Sequence, residues 1–269
     1  MRVGTALPQR RLDRTFLDVA REAEDLGYDS LSVYDHLVPL GAPDGTPVLE
    51  AFTALAAVAA ATSRIGLRTL VVRAPMRPAF LTAHLARTVR AVAGDRFVLG
   101  LGTGDASSAR EDALLGLPHL PGPARRDAVR TTVGVLREVV PDLRVWVGGN
   151  GRLTQALAED VADGWNGWAL LAGEVPRLGV EVTWGGQVVL GGSAEEAAAR
   201  LASWSPGRDP AERERALTGT PAEVAERLRG LAAAGVAEAI VAFVGGDADG
   251  QRRVFAREVL PLVRAEPQP

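Results

Sequence analysis

The sequence contains no cysteine and no lysine. The first absence excludes disulfides, thiolate nucleophiles and cysteine-ligated metal centres. The second leaves all 30 basic residues as Arg, which excludes Schiff-base chemistry and the phosphate-gripping lysine of a P-loop. Any bound phosphate must be held by Arg, hydroxyls, backbone N–H groups or a helix N-terminus. Histidine is scarce, with 3 residues, and no His-x-x-x-His spacing brings two together, which argues against a zinc site. A formal charge of -3 provides no electrostatic footprint for nucleic acid. No apolar run reaches the roughly 18 residues of a membrane span. The segment Met1-Arg2-Val3-Gly4-Thr5 lacks a basic region followed by an apolar one, so the expectation is a cytoplasmic chain without a signal peptide.

What is present is an alternation of strand-like and helix-like segments from end to end, the pattern of a parallel α/β fold. The 269 residues are near the size of one (β/α)8 barrel, typically about 250. Arg2 to Leu7 reads as a first strand, followed by Phe16, Val19, Ala20, Ala23 and Leu26 at helical spacing and by Gly27 as a stop. Leu31 to Tyr34 is a second strand ending in Asp35-His36, Ile65 to Val72 a third, and Phe97 to Leu101 a fourth. Leu143 to Val147 is the fifth and Trp165 to Trp168 the sixth. Val180–Thr183 and Gln187–Leu190 are two short candidates for the next position, within an irregular stretch, Leu170 to Ala216, that reads as an excursion from the barrel. Thr220-Pro221-Ala222-Glu223 is an N-cap, a proline at N1 and a capping-box acid. Ala239 to Val244 is the last strand. No compositional break divides the chain, which predicts one domain over residues 1–269.

Three strand ends carry candidate chemistry. Asp35-His36 closes the second strand, where polar side chains of a barrel face the site; His36 can move a proton or hydrogen-bond a redox ring near neutral pH. The other reading is a helix cap by Asp35 with His36 packed beside it. Gly100-Leu101-Gly102-Thr103-Gly104 brings backbone N–H groups close to a ligand, or is a glycine-rich turn. A dinucleotide fingerprint fits it poorly, because the spacing is Gly-x-Gly-x-Gly and no helix starts directly from it. Asp105 follows, either to orient a cofactor or to cap a local turn. Gly148-Gly149-Asn150-Gly151 lies between a strand and a helix, which suits a phosphate or simply a turn needing positive φ. His84 reads as a packing or surface residue, and His119 as a solvated residue or one lining the mouth of a site. Trp165 and Trp168 read as core or rim.

Together these segments resemble the luciferase-like monooxygenase superfamily, especially its deazaflavin-dependent (coenzyme F420) oxidoreductases. The resemblance rests on Ala23 through His36, Glu50 through Thr62 with Arg64-Ile65, Asp95 through Gly104, Val147 through Gly151 with Ala162 through Asn166, and Gly219 through Val224. It implies a (β/α)8 TIM barrel, a homodimer, and coenzyme F420 or flavin mononucleotide (FMN) over the strand ends. It also implies that His36 sits near the redox ring and that Asp105 takes an acid or electrostatic role. Gly102, Thr103, Gly104, Gly148, Gly149 and Asn150 would contact the cofactor, with Asp35, and a non-prolyl cis peptide would fall at Leu70–Val71 behind the ring. The chain departs from the pattern at Leu40, where some relatives have an aromatic residue. It departs again at Pro141-Asp142, where the link before the fifth strand is shortened.

The first functional expectation is therefore hydride transfer between a deazaflavin and a small organic substrate. The alternatives are an FMN-dependent monooxygenase on the same fold and a non-catalytic cofactor carrier. A barrel hydrolase or isomerase using carboxylates and a metal lacks the ligand cluster it would need. The loops Val38–Leu49, Ser107–Pro123 and Leu170–Ala216 carry no pattern that names a substrate.

Overall fold

Runs of Val, Ile and Leu alternate with Ala-rich stretches of helical period, and in space they become a parallel barrel ringed by helices. The computed structural model describes residues 1–9, 15–38, 45–105, 108–204 and 210–265. The first half runs β1 (Arg2–Ala6), α1 (Thr15–Asp25), β2 (Ser30–Val33), α2 (Ala51–Ala61), β3 (Gly66–Thr69), β4 (Val72–Arg73), α3 (Ala79–Ala93), β5 (Phe97–Gly102) and α4 (Ala109–Leu114). The chain continues with α5 (Gly122–Val139), β6 (Arg144–Gly148), α6 (Arg152–Val161), β7 (Gly164–Trp168), β8 (Glu181–Leu190), α7 (Ala194–Trp204) and α8 (Pro210–Arg215). It ends with β9 (Leu217–Gly219), α9 (Pro221–Ala233), β10 (Glu238–Phe243), α10 (Ala248–Val254), a π-helical stretch Phe255–Val259 and α11 (Leu260–Arg264).

Strands β1, β2, β3, β5, β6, β7, β8 and β10 pair in parallel in that order, and β10 returns to β1. The result is a closed eight-stranded barrel. β4 continues the ladder of β5 (Val72 opposite Leu101), and β9 extends the end of β8 (Val188 opposite Leu217). The shortened link is real: α5 ends at Val139 and β6, the fifth barrel strand, begins at Arg144. The capping box at Thr220 also forms as predicted, with the Thr220 amide donating to Glu223 Oε2 (2.8 Å) and the Glu223 amide donating to Thr220 Oγ1 (3.4 Å).

Side chains alternate across each strand, so one set fills the layer under the helices and the other fills the barrel. On β5, Leu99 and Leu101 join the helix-side core, whereas Val98 joins a separate inner cluster with Leu70, Trp146 and Ile240. Tyr34, Val71 and Trp168 pack over that cluster. The opposite end of the barrel is closed by charge. Arg2, Arg144, Glu181 and Glu238 are the first residues of β1, β6, β8 and β10. Arg2 reaches both Glu181 and Glu238, Arg144 pairs with Glu181 (2.5 Å), and the buried Arg68 lies 3.5 Å from Glu238 and 5.3 Å from the Trp146 ring centroid. The mouth described below lies at the other end, where the strands finish.

The structure corrects three expectations. The two short candidates around residue 185 are one continuous strand, β8, which is the seventh barrel strand, so Leu170–Ala216 is not an excursion. Gly185 and Gly186, which lie between the two candidates, make room for rings: a Cβ on Gly185 would meet Trp168 at 2.8 Å, and one on Gly186 would strike Trp184. The third strand is split into β3 and β4 around Leu70–Val71, whose peptide bond is cis, at the bond named from the sequence. Finally, the loop after the fourth barrel strand contains the short helix α4, which the sequence pattern does not reveal.

Candidate active site

The mouth is built first by the segment leaving β2. Asp35 is buried, and its carboxylate accepts from Arg77 Nη1 (2.7 Å), Arg77 Nη2 (2.8 Å) and the Arg73 amide (3.1 Å). Arg77 also donates to Glu50 (3.0 Å), and its guanidinium lies 5.5 Å from the Phe52 ring centroid. Asp35 thus anchors the start of the loop to Arg73, at the end of β4, and to Arg77 beyond it. That anchorage positions the next residue, His36, whose side chain remains 31% exposed at the mouth.

Glu111, on α4, is the carboxylate that reaches His36. Its Oε1 accepts from the Leu37 (2.5 Å) and Val38 (3.0 Å) amides, and its Oε2 lies 3.0 Å from His36 Nδ1. Arg73 Nη2 is 3.3 Å from the same oxygen, while Arg73 Nη1 donates to Asp112 (2.7 Å). Asp112 in turn lies 2.8 Å from His119 Nδ1. The chain His36–Glu111–Arg73–Asp112–His119 therefore lines one side of the mouth. Burial by itself raises the Glu111 pKa, but His36, the Val38 amide and Arg73 together hold it below the ordinary carboxylate value.

The remaining sequence candidates separate into a wall and a rim. Leu70 is buried in the inner cluster, and Val71 faces the three glycines Gly100, Gly102 and Gly148, whose missing side chains make room for it. Trp168 meets Tyr34 edge-on at 6.1 Å and completes this wall. On the rim, Gly104 has φ +66°, and Thr103 Oγ1 donates to the Gly104 carbonyl (3.0 Å). Asp105 is exposed and accepts from the Ser108 amide (3.2 Å), the local-turn arrangement; Glu111, six residues later, is the acid that meets His36. Across the mouth, the Gly149 amide donates to the Asn166 carbonyl (3.0 Å). Asn150 exchanges two hydrogen bonds of 2.8 Å with the Trp168 backbone. The helix α6 that follows has no side-chain cap at Gly151. Leu40 and Ser107 lie outside the described residues.

Beside Thr103 and Gly104 is a small cavity of about 10 Å³ lined also by Arg73, Ser108, Asp112, His119 and Arg125. Among the described residues, Arg125 Nε and Nη1 are buried there without a hydrogen-bond partner. His119 is therefore a mouth residue, whereas His84 lies on α3 against Phe80 and Arg87. Sequence reasoning missed Arg73, Arg77, Glu111, Asp112 and Arg125. The available signal was Arg73 itself, an arginine at the end of a buried strand, which must find acids nearby.

Among the described residues no helix is long and apolar enough to cross a membrane. The fold is shared with an F420-dependent secondary alcohol dehydrogenase solved with an F420–acetone adduct (TM-score 0.80, 16% identity, 98% of this chain and 99% of that one). It is also shared with the oxygenating constituent of 3,6-diketocamphane monooxygenase from the CAM plasmid of Pseudomonas putida, in complex with FMN (TM-score 0.71, 15% identity, 100% of each chain). An uncharacterised protein of Mycobacterium tuberculosis H37Rv is 30% identical over 118 residues, which is 38% of this chain. The chain spans 40% of the length of that curated relative. The profile of the luciferase-like monooxygenase family matches residues 1–142, more than half of the chain, and the protein belongs to that family.

Proposed function

We propose that this chain is a deazaflavin-dependent oxidoreductase that moves a hydride to or from a small organic substrate at the mouth of its barrel. The observation that carries the reading is His36, partly exposed at that mouth and held by Glu111 through Nδ1, with Nε2 unpartnered among the described residues. A bound deazaflavin supplies two-electron chemistry, and the protein supplies orientation, burial and a proton. Val71, Leu70, Tyr34 and Trp168 form an apolar wall suited to one face of a ring. The unpaired atoms of Arg125 beside Thr103 and Gly104, with the uncapped start of α6, suit a phosphate tail. Gly148, Gly149 and Asn150 would shape that side of the site through the loops they hold together, and Asp105 would assist from the rim. The chain would act as one domain and as a homodimer, a reading supported by Phe80 and Leu81, which are 62% and 48% exposed on α3.

The test is a side-by-side equilibrium titration with coenzyme F420 and with FMN. Tighter binding of F420 supports the proposal; selective FMN binding with oxygen-dependent turnover replaces it with a flavin monooxygenase. Binding without turnover over a broad panel of small substrates would make the chain a carrier. His36→Ala is expected to lower turnover by about 10²-fold or more, as loss of a proton-transfer group does. Arg125→Ala is expected to weaken FMN but not riboflavin, which lacks the phosphate, and equal weakening of both would remove Arg125 from the phosphate site.

A further inference from the structure

Glu111 is buried yet has no place in the sequence-level picture of the site. One of its oxygens is committed to two backbone amides, Leu37 and Val38, on the loop that carries His36. The other faces His36 Nδ1 at 3.0 Å and Arg73 at 3.3 Å. An ionised carboxylate only accepts hydrogen bonds, so a histidine nitrogen placed against it must carry the proton. His36, the Val38 amide and Arg73 keep this carboxylate ionised, and Asp112 holds Arg73 from the other side.

We infer that Glu111 is a positioning residue that locks His36 in the Nδ1–H tautomer, leaving Nε2 as the atom that accepts or returns the substrate proton. The inference rests on the oxidoreductase reading for its chemistry, but the pairing itself is measurable without cofactor. The same contacts orient the ring. The Leu37 and Val38 amides are tied to α4, so the backbone that carries His36 cannot rotate independently of the carboxylate. Glu111→Gln keeps the acceptor for those amides at Oε1 and places an NH2 donor where Oε2 faced His36. The ring must then accept at Nδ1 and carry its proton on Nε2. The substitution is nearly isosteric and inverts the tautomer.

The experiment is ¹⁵N NMR of cofactor-free protein labelled at histidine, recorded above the histidine pKa values. The chain has 3 histidines, so removing each in turn assigns the spectrum. His84 serves as an internal contrast, because Arg87 Nη2 lies 3.1 Å from its Nδ1 and favours the opposite tautomer. The expected result is a protonated Nδ1 and a bare Nε2 for His36 in the wild type, exchanged in Glu111→Gln. Turnover of the variant should fall by about 10²-fold with little change in KM. An Nε2–H tautomer in the wild type, an unchanged tautomer in the variant, or full turnover despite the exchange would each overturn the inference. If the variant does not fold, the wild-type spectrum decides. Failure of the protein to bind either cofactor would refute the oxidoreductase reading, while the same spectrum would still decide the Glu111–His36 pairing.

Discussion

Replacing Gly102 with alanine tests whether the interior glycines exist to make room for Val71. A Cβ built on Gly102 lies 2.5 Å from Val71 Cγ2, and one on Gly148 lies 2.8 Å from Val71 Cγ1. Carbon atoms in ordinary contact sit about 3.5–4.0 Å apart, so roughly 1 Å of overlap must be relieved. Neither glycine has a positive φ, so crowding rather than backbone conformation opposes the substitution. Overpacking of this kind costs about 1–3 kcal/mol. At about 2–4 °C per kcal/mol for a chain of this size, Gly102→Ala should lower Tm by about 4–8 °C for a cost near 2 kcal/mol. Val71→Ala alone should cost about 1 kcal/mol, because its two methyl groups are only half-buried. In the Val71→Ala background, however, the Gly102→Ala cost should nearly vanish, giving a coupling of about 1–2 kcal/mol in a double-mutant cycle. Gly100→Ala is the control: its Cβ also runs into the Thr69 carbonyl oxygen, and shortening Val71 does not move that backbone atom. Urea denaturation at neutral pH measures all of these terms. Additive effects of Gly102→Ala and Val71→Ala would refute the reasoning.

Three further outcomes follow from the same contacts. Asp35→Ala should destabilise by about 3 kcal/mol in chemical denaturation, because it leaves the largely buried Arg77 with Glu50 alone; a loss near zero would show that water already screens the pair. The Glu111 carboxyl has a folded pKa below its unfolded value, so the stability it contributes is complete above the ordinary carboxylate pKa of about 4.3 and is lost as pH falls through the folded one. The stability gap between wild type and Glu111→Gln should therefore be flat near neutrality and shrink below about pH 4, and a gap that widens on acidification would contradict this sign. Thr220→Ala removes the side-chain half of the α9 capping box and should cost about 1 kcal/mol, read as a shift of the urea midpoint.

Much of the scaffold was legible because the barrel repeats one rule, an apolar strand followed by an amphipathic helix. The strand ends at Asp35-His36, Gly102–Gly104 and Gly148-Gly149 were legible for the same reason, since a polar or glycine-rich residue at the end of an apolar run marks the mouth. The rule failed at β8, where Gly185-Gly186 resembles a turn until the Trp168 and Trp184 rings are seen to fill the space. It also failed at α4, whose single turn and a half is too short for its period to register. Asp105 illustrates a different limit. It follows the glycine loop directly and accepts from the Ser108 amide, whereas the carboxylate that reaches His36 comes from Glu111, on an element that no local pattern marks.

The amino-acid sequence by itself determined the parallel α/β class, the absence of thiol and lysine chemistry, the shortened link at Pro141-Asp142 and the strand end that bears His36. These depend on composition and local period, which are properties of neighbours along the chain. Only the tertiary structure decided which acid faces which base. Asp35 with Arg77, Glu111 with His36 and Arg73, and Asp112 with His119 are separated by between 7 and 75 residues. Closure of the barrel brings most of them together, and burial then compels each charge to find a partner.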